Sequence, residues 1–160
     1  MNITFRTEPV AGDTSSIRDI VESTGFFYEH EVEVAVELIE ERLKNGMASG
    51  YHFVFADVEG TTAAYTCFGH DEMTRSCFDL YWIVTHQKYR GLGIGKKLLD
   101  ATYSELRKLG CTMLVAETSG REQYRPTRVF YESAGYNLEA ILRDYYDKGD
   151  DKCFYVMRFA

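Results

Sequence analysis

The segment around residue 90 combines glycines and cations at a spacing suited to binding a diphosphate. The sequence RGLGIGK (residues 90–96) follows an apolar stretch that ends at Val84, and it leads directly into a helical pattern. The first turn of a helix has backbone N–H groups without an intrahelical partner, at the positive end of the helix dipole. Glycines let a phosphate approach these groups closely, and Arg90, Lys96 and Lys97 add positive charge. The segment therefore predicts a phosphate-binding loop.

Two other phosphate-binding patterns do not fit this segment. The pattern GxxxxGK followed by Ser or Thr is absent, because Gly91 and Lys96 have the wrong spacing and no hydroxyl residue follows the lysine. The dinucleotide pattern GxGxxG would need Gly or Ala where Lys96 stands, and the segment lies in the middle of the chain. A tight strand-to-helix turn without a ligand and a nucleotide-binding α/β protein remain as alternative interpretations.

Composition and charge narrow the class of protein. The chain has 160 residues, of which 45% are apolar and 14% aromatic, so we expect one globular domain over residues 1–160. A net charge of −7 argues against general nucleic-acid binding. No CxxC pair occurs, so we expect buried reduced thiols and no metal site. No targeting or membrane-spanning pattern is found, so we expect no membrane association and a cytoplasmic location.

Hydrophobic periodicity predicts the elements that must position the loop. In chain order they are a strand at 3–7, a helix that carries Ile17, Ile20 and Val21 with Asp13 or Thr14 as its cap, a helix at 29–44, a β-hairpin of strands 51–58 and 61–69, a strand at 77–84, a helix at 93–109, a strand at 112–118, a helix at 127–134, and strands near 137–145 and 153–159. The nearly continuous apolar run at 112–118 indicates burial on both faces. The order predicts an α/β fold, a mixed central sheet of about seven strands flanked by about four helices.

Two motifs in the right order resemble those of the GNAT family of N-acetyltransferases. Arg90, Gly93 and Gly95 match the family's loop pattern of Gln or Arg, two residues, Gly, one residue, and Gly or Ala. The sequence FYESAGY (residues 130–136) is similar to the family's second motif, an aromatic helix and turn. The resemblance covers nearly the whole chain. It implies the acyl-CoA N-acyltransferase fold, with a parallel strand pair that splays apart.

The same resemblance implies acetyl-CoA as co-substrate and no metal. The pantetheine arm would pair with the main chain of Ile83 and Val84. The diphosphate would be held mostly by backbone N–H groups of the loop residues Arg90, Gly91, Leu92, Gly93, Ile94, Gly95 and Lys96.

The resemblance also implies catalytic roles. Tyr131 matches the tyrosine that the family places near the CoA sulfur, where it would protonate the departing thiolate. An alkyl amine is mostly protonated at pH 7, so a group must take its proton. Glu117 resembles a glutamate of ribosomal-protein N-terminal acetyltransferases and is the first candidate for this base, while Asp79 and a chain of water molecules are the others. Either carboxylate could instead form a structural pair with an arginine, the candidates being Arg121, Arg125 and Arg128.

The predicted reaction is direct acetyl transfer to a primary amine, and the acceptor is open. The segment Arg143-Asp144-Tyr145-Tyr146 resembles the Arg-x-Tyr-Tyr of protein N-terminal acetyltransferases, which favours a peptide N-terminus. A small amine or amino-acid derivative is equally compatible. The glutamate-rich face of the second helix would either be solvated or attract a cationic amine. The alternative function is a non-catalytic acyl-CoA-binding or regulatory module, and the expected state is a monomer or homodimer.

Overall fold

The computed structural model describes residues 1–160 and consists of seven strands and four α-helices. Their bounds are β1 Ile3–Arg6, α1 Asp13–Ser23, α2 Glu29–Asn45, β2 His52–Val58, β3 Thr61–His70, β4 Cys77–Thr85, α3 Ile94–Lys108, β5 Met113–Ser119, α4 Arg125–Ser133, β6 Asn137–Asp147 and β7 Asp150–Arg158. The strands form one sheet in the order β1-β2-β3-β4-β5-β7-β6, with β4 and β5 parallel. The predicted fold class is confirmed.

The chain divides into two compact units, which are described separately. The first unit comprises residues 1–69 and 82–106, and the second comprises residues 70–81 and 107–160. The expectation of a single domain stays a prediction. None of the helices has the length and apolar character needed to cross a membrane.

The first unit has its core between two helices and a hairpin. Strands β2 and β3 are antiparallel and joined by Glu59 and Gly60, both with positive φ, as a tight hairpin turn requires. Apolar residues recur at helical spacing on one side of α1 and α2 and pack on this hairpin. The buried cluster consists of Ile17, Ile20, Val21, Val32, Ala35, Ile39, Phe53, Phe55, Tyr65, Cys67 and Val84. The glutamates on the other side of α2 are mostly solvent-exposed.

A buried ion pair ties the first strand to the first helix. The Arg6 guanidinium contacts the carboxylates of Asp13 at 2.6 Å and of Asp57 at 2.8 Å, and it lies 4.3 Å from the centre of the Phe55 ring. Asp13 is only 1% exposed and also accepts a hydrogen bond from the Val10 N–H. The sequence predicted Asp13 or Thr14 as the cap of α1. The structure corrects this, because Gly12 is the N-cap residue and no side chain caps the helix.

The second unit is built around β5. Strand β4 pairs with one edge of β5 from Cys77 opposite Met113 to Leu80 opposite Ala116. Strand β7 pairs with the other edge along its whole length. The predicted burial on both faces of β5 is wrong, since Leu114 and Ala116 are buried while Glu117 is exposed. An alternating pattern of this kind leaves one face of the strand available for polar side chains.

The starts of two elements differ from their predicted positions by two residues or more. Helix α4 begins at Arg125 instead of residue 127, because Pro126 sits in its first turn, where a missing N–H costs nothing. Strand β7 begins at Asp150 instead of residue 153. The four cysteines are free and buried, as expected.

Asp13→Ala tests the buried ion pair. The change leaves the Arg6 guanidinium with one carboxylate fewer in a half-buried position, and we expect it to lower the free energy of unfolding by about 3 kcal/mol. Urea denaturation of the variant measures the loss. Glu40→Gln, an exposed position on α2, is the control and should change stability by less than about 0.5 kcal/mol. An Asp13→Ala variant as stable as the wild type would contradict this assignment.

Candidate active site

The loop that follows β4 has a backbone conformation that requires glycine at two positions. Gly91 and Gly93 have φ angles of 78° and 77°, in the left-handed region that residues with a Cβ rarely adopt. The loop is fixed at its start, where the His86 N–H donates to the Ala63 carbonyl at 2.8 Å. At its end the buried side chain of Ile94 anchors the first turn of α3. The glycines are therefore required by the path of the chain, in addition to the close approach that the sequence predicted.

The start of α3 is open and surrounded by positive charge. A Cβ added at Gly91 or Gly93 would meet no heavy atom within 4 Å, so the space next to the loop is free. The backbone N–H groups of the first helical turn lack intrahelical partners. The side chains of Arg90, Lys96 and Lys97 are exposed. These properties fit an anion such as the diphosphate of CoA.

The two predicted pantetheine contacts lie on the second half of β4. Val84 is buried in the core of the first unit, and Ile83 is half-buried. Both side chains have packing roles, so any contact with a ligand would use the main chain. The assignment of Ile83, Val84 and residues 90–96 to a cofactor stays a prediction.

The end of the β4–β5 pairing places polar side chains together in the second unit. The register stops at Leu80 and Ala116 and does not extend to Tyr81 and Glu117. Asp79 lies opposite Val115, two residues before Glu117, so Asp79, Tyr81 and Glu117 share one face of the sheet. A cavity of about 240 Å³ lies here, and its lining residues are Asp79, Leu80, Tyr81, Glu117 and Tyr146. We call it the acidic pocket.

Glu117 forms an ion pair with a lysine of β7. The Lys152 Nζ lies 2.8 Å from Glu117 Oε2, and the lysine side chain is only 11% exposed. The same ammonium group lies 4.1 Å from the Tyr145 ring centre and 5.3 Å from that of Phe154. Burial lowers the pKa of Lys152, but its hydrogen bonds to Glu117 and Tyr145 outweigh that effect, so the pKa is raised and the amine stays charged.

Asp79 has a different environment from Glu117. It is half-buried, and the causes of its pKa shift include charges but no hydrogen bond to the carboxylate. Burial raises the pKa of Asp79, and the negative charges of Glu117 and Asp71 raise it further, while Lys152 opposes them. None of the three arginines considered as structural partners contacts either carboxylate. Arg121 binds Asp150, and Arg125 binds Glu122. Arg128 donates hydrogen bonds to the carbonyls of Ser119 and Arg121.

Tyr131 is the centre of a buried aromatic group. Its ring centre lies 5.7 Å from that of Tyr155 and 5.1 Å from that of Tyr136. Gly135, with a φ angle of 92°, ends α4 and turns the chain back, so that the Tyr136 N–H donates to the Tyr131 carbonyl at 3.0 Å. The second motif of the sequence is thus a helix end with a left-handed glycine that packs two tyrosines together.

Sequence reasoning missed two residues around the pocket. Lys152, the partner of Glu117, is 35 positions away in the chain, and only the antiparallel pairing of β5 with β7 brings them together. Tyr81 has no motif around it. The tail contains four cations, Arg143, Lys148, Lys152 and Arg158, and no sequence signal separates Lys152 from the others. Of the paired tyrosines, Tyr146 lines the pocket, whereas Tyr145 lies against Lys152.

Comparison with known proteins agrees with this geometry. Residues 49–138 match the family model of the acetyltransferase (GNAT) domain. A crystal structure from Desulfovibrio desulfuricans, of a protein assigned to the GNAT acetyltransferases, is 43% identical, covers 99% of this chain and 100% of its own, and superposes with a TM-score of 0.97. A search of curated protein sequences found no match.

Two more distant structures share the fold. The ribosomal-protein-S18-alanine N-acetyltransferase of Escherichia coli is 20% identical, with a TM-score of 0.76 over 99% of this chain and 95% of its own. The PaiA N-acetyltransferase of Thermoplasma acidophilum, solved in complex with coenzyme A, is 18% identical, with a TM-score of 0.74 over 99% of this chain and 100% of its own. On the family-model match and the 43% identity over its length, this chain belongs to the GNAT family of acetyltransferases.

Proposed function

We propose that this protein transfers the acetyl group of acetyl-CoA to a primary amine by direct attack of the amine on the thioester. The observation that carries the proposal is the open, cationic start of α3, where left-handed glycines expose backbone N–H groups. That site suits a diphosphate and would hold CoA through residues 90–96, with Ile83 and Val84 offering main-chain groups to the pantetheine arm. Acetyl-CoA supplies the activated acetyl group.

In this proposal the acidic pocket receives the acceptor amine. In the overall reaction a C–N bond forms, the C–S bond breaks, and one proton leaves the nitrogen. Glu117 is the proposed base, and Lys152 holds its carboxylate in place at 2.8 Å. Asp79 lies on the same face of the sheet and is the second candidate for this proton.

Tyr131 is the proposed general acid for the leaving thiolate. Its ring is held between Tyr136 and Tyr155, which limits its motion. A buried phenol with a fixed ring is suited to deliver a proton to one defined position. A thiolate can leave without a proton, so this proton is expected to raise kcat and not to be essential for the reaction.

Both acceptor classes remain candidates. The fold is shared with an enzyme that acts on the alanine of ribosomal protein S18, which supports a peptide N-terminus. The position of Tyr146 in the wall of the pocket supports the same class, since its ring could lie against a peptide. The small volume of the pocket, about 240 Å³, supports a small amine.

Gly93→Glu tests the diphosphate site. The change forces a side chain into left-handed backbone and puts negative charge at the start of α3, so we expect no measurable binding of CoA by calorimetry. Gly110→Glu is a matched control at the opposite end of α3, with a φ angle of 79° and equally open space. Its CoA affinity should equal that of the wild type. Unchanged affinity in Gly93→Glu, or tighter binding of NAD or ATP than of CoA by the wild type, would overturn the assignment.

Tyr131→Phe tests the general acid. The variant keeps the aromatic packing and loses the hydroxyl, so we expect kcat to fall by about 10- to 1000-fold with little change in the KM for acetyl-CoA. Tyr136→Phe removes a hydroxyl from the same aromatic group and serves as control. Release of the CoA thiol reports both. Equal activity would mean that the thiolate leaves unprotonated, and CoA binding without thiol release in the wild type would favour the non-catalytic module.

Glu117→Gln tests the base through the pH dependence of kcat at saturating amine. If Glu117 takes the proton, the rise of kcat with pH disappears in the variant. If Asp79 takes the proton, the rise persists and moves to lower pH. The direction follows because the Glu117 charge helps to raise the pKa of Asp79, so that removing the charge lets this pKa fall. A rise at unchanged pH would contradict both carboxylates and indicate a chain of water molecules.

A further inference from the structure

The acidic pocket contains two carboxylates, of which only one is in direct contact with a cation of the protein. Glu117 is paired with Lys152, whose ammonium group is enclosed by the carboxylate and the rings of Tyr145 and Phe154. The lysine side chain is 11% exposed, so it is mostly buried. One internal cation therefore acts on two carboxylates and contacts only Glu117 directly.

Asp79 carries the remaining charge and has no partner in the protein. Its carboxylate is half-buried in the wall of the cavity and forms neither a hydrogen bond nor an ion pair. A carboxylate that is partly removed from water without a partner is unfavourable. A cationic group of a bound molecule would remove this cost by forming the missing ion pair.

The rest of the pocket suits an organic cation on a short arm. Tyr81 and Tyr146 contribute aromatic side chains to the lining, and aromatic faces attract ammonium and guanidinium groups. The volume of about 240 Å³ is below the roughly 300 Å³ at which pockets for drug-sized ligands begin, so a short cationic arm fits better than a large molecule.

With Glu117 as the base, the cation at Asp79 is not the nitrogen that is acetylated. A carboxylate that binds an ammonium group favours its protonated form, and a protonated nitrogen has no electron pair with which to attack the thioester. We propose that the acceptor carries two cationic nitrogens, one that is acetylated and one that is bound by Asp79. This inference rests on the proposed function and names its acceptor class, a primary amine with an ammonium or guanidinium group a few bonds away.

Three acceptors of equal chain length test the proposal, namely 1,4-diaminobutane, butylamine and 4-aminobutanoate. They differ in the group at the far end, which is cationic, neutral or anionic. We expect kcat/KM of the wild type to be at least about tenfold higher for the diamine than for butylamine, and lowest for the anion, as expected for one ion pair gained or one repulsion added. The same three kinds of acceptor with three and five carbons are measured as well, in case a four-carbon chain does not fit the pocket.

Asp79→Asn identifies the residue responsible. The ratio of kcat/KM for diamine over butylamine should fall to about two, the statistical factor for two equivalent amino groups, because the far ammonium no longer meets the Asp79 charge. Glu72→Gln removes one negative charge from an exposed position and should keep the wild-type ratio. Thermal melting of both variants checks folding. A ratio that stays high in Asp79→Asn would overturn the assignment to Asp79.

Two peptides test whether the second cation belongs to a protein or to a small molecule. The peptide amides Ala-Arg-Ala and Ala-citrulline-Ala differ only in the guanidinium charge, so a preference for arginine, lost in Asp79→Asn, would assign a basic residue near a protein N-terminus. If the wild type prefers the diamine over butylamine but does not distinguish the two peptides, the acceptor is a small diamine. A wild type that acetylates all charged and neutral acceptors equally overturns this inference and leaves the proposed function intact.

Failure of the proposed function would give a different experimental result. No acceptor would then release thiol from acetyl-CoA, and this inference would fall with it as a statement about catalysis. Calorimetry with 1,4-diaminobutane alone tells the two failures apart. If the wild type binds the diamine and Asp79→Asn does not, the assignment of Asp79 as a cation-binding residue stands. If the wild type does not bind the diamine, that assignment is wrong.

Discussion

The short parallel pairing of β4 with β5 is the constraint on which the chemistry depends. Only four positions are in register, from Cys77 and Met113 to Leu80 and Ala116, although β5 continues for three more residues. Because side chains alternate along a strand, this register puts Asp79 and Glu117 on one face. Had the pairing continued, the end of β5 would have been an ordinary strand interior. Its early end makes room for the acidic pocket.

The pairing on the other edge of β5 supplies the charge that the pocket needs. Glu117 lies opposite Phe154 in the antiparallel ladder with β7, and Lys152 is two residues away on the same face. Two carboxylates on one face repel each other, and a buried ammonium next to one of them reduces that repulsion. The arrangement keeps both carboxylates close to one ammonium group. One stays tied to the protein and the other is left for a ligand.

The parts of the site that are local in sequence were predictable, and the parts that depend on register were not. The loop at residues 90–96 was recognised because its glycines and cations are consecutive and precede a helix. The order of the elements followed from their periodicity. Lys152 could not be assigned to Glu117, since nothing in the sequence gives the offset between β5 and β7. Asp13 was predicted as a helix cap for the same reason, because its ion pair with Arg6 depends on the position of β1.

Family membership does not identify the acceptor, because the family motifs contain only residues that are close together in sequence. The two motifs that identify the family contain the loop glycines and Tyr131, which serve the common co-substrate in the proposed reaction. The pocket is instead lined by residues outside both motifs, Asp79, Tyr81, Glu117 and Tyr146. Substitutions there change the charge and shape offered to an acceptor while leaving the loop unaltered. The chemistry of the acceptor is therefore to be argued from the pocket's own charges, and in this chain the unpaired one is Asp79.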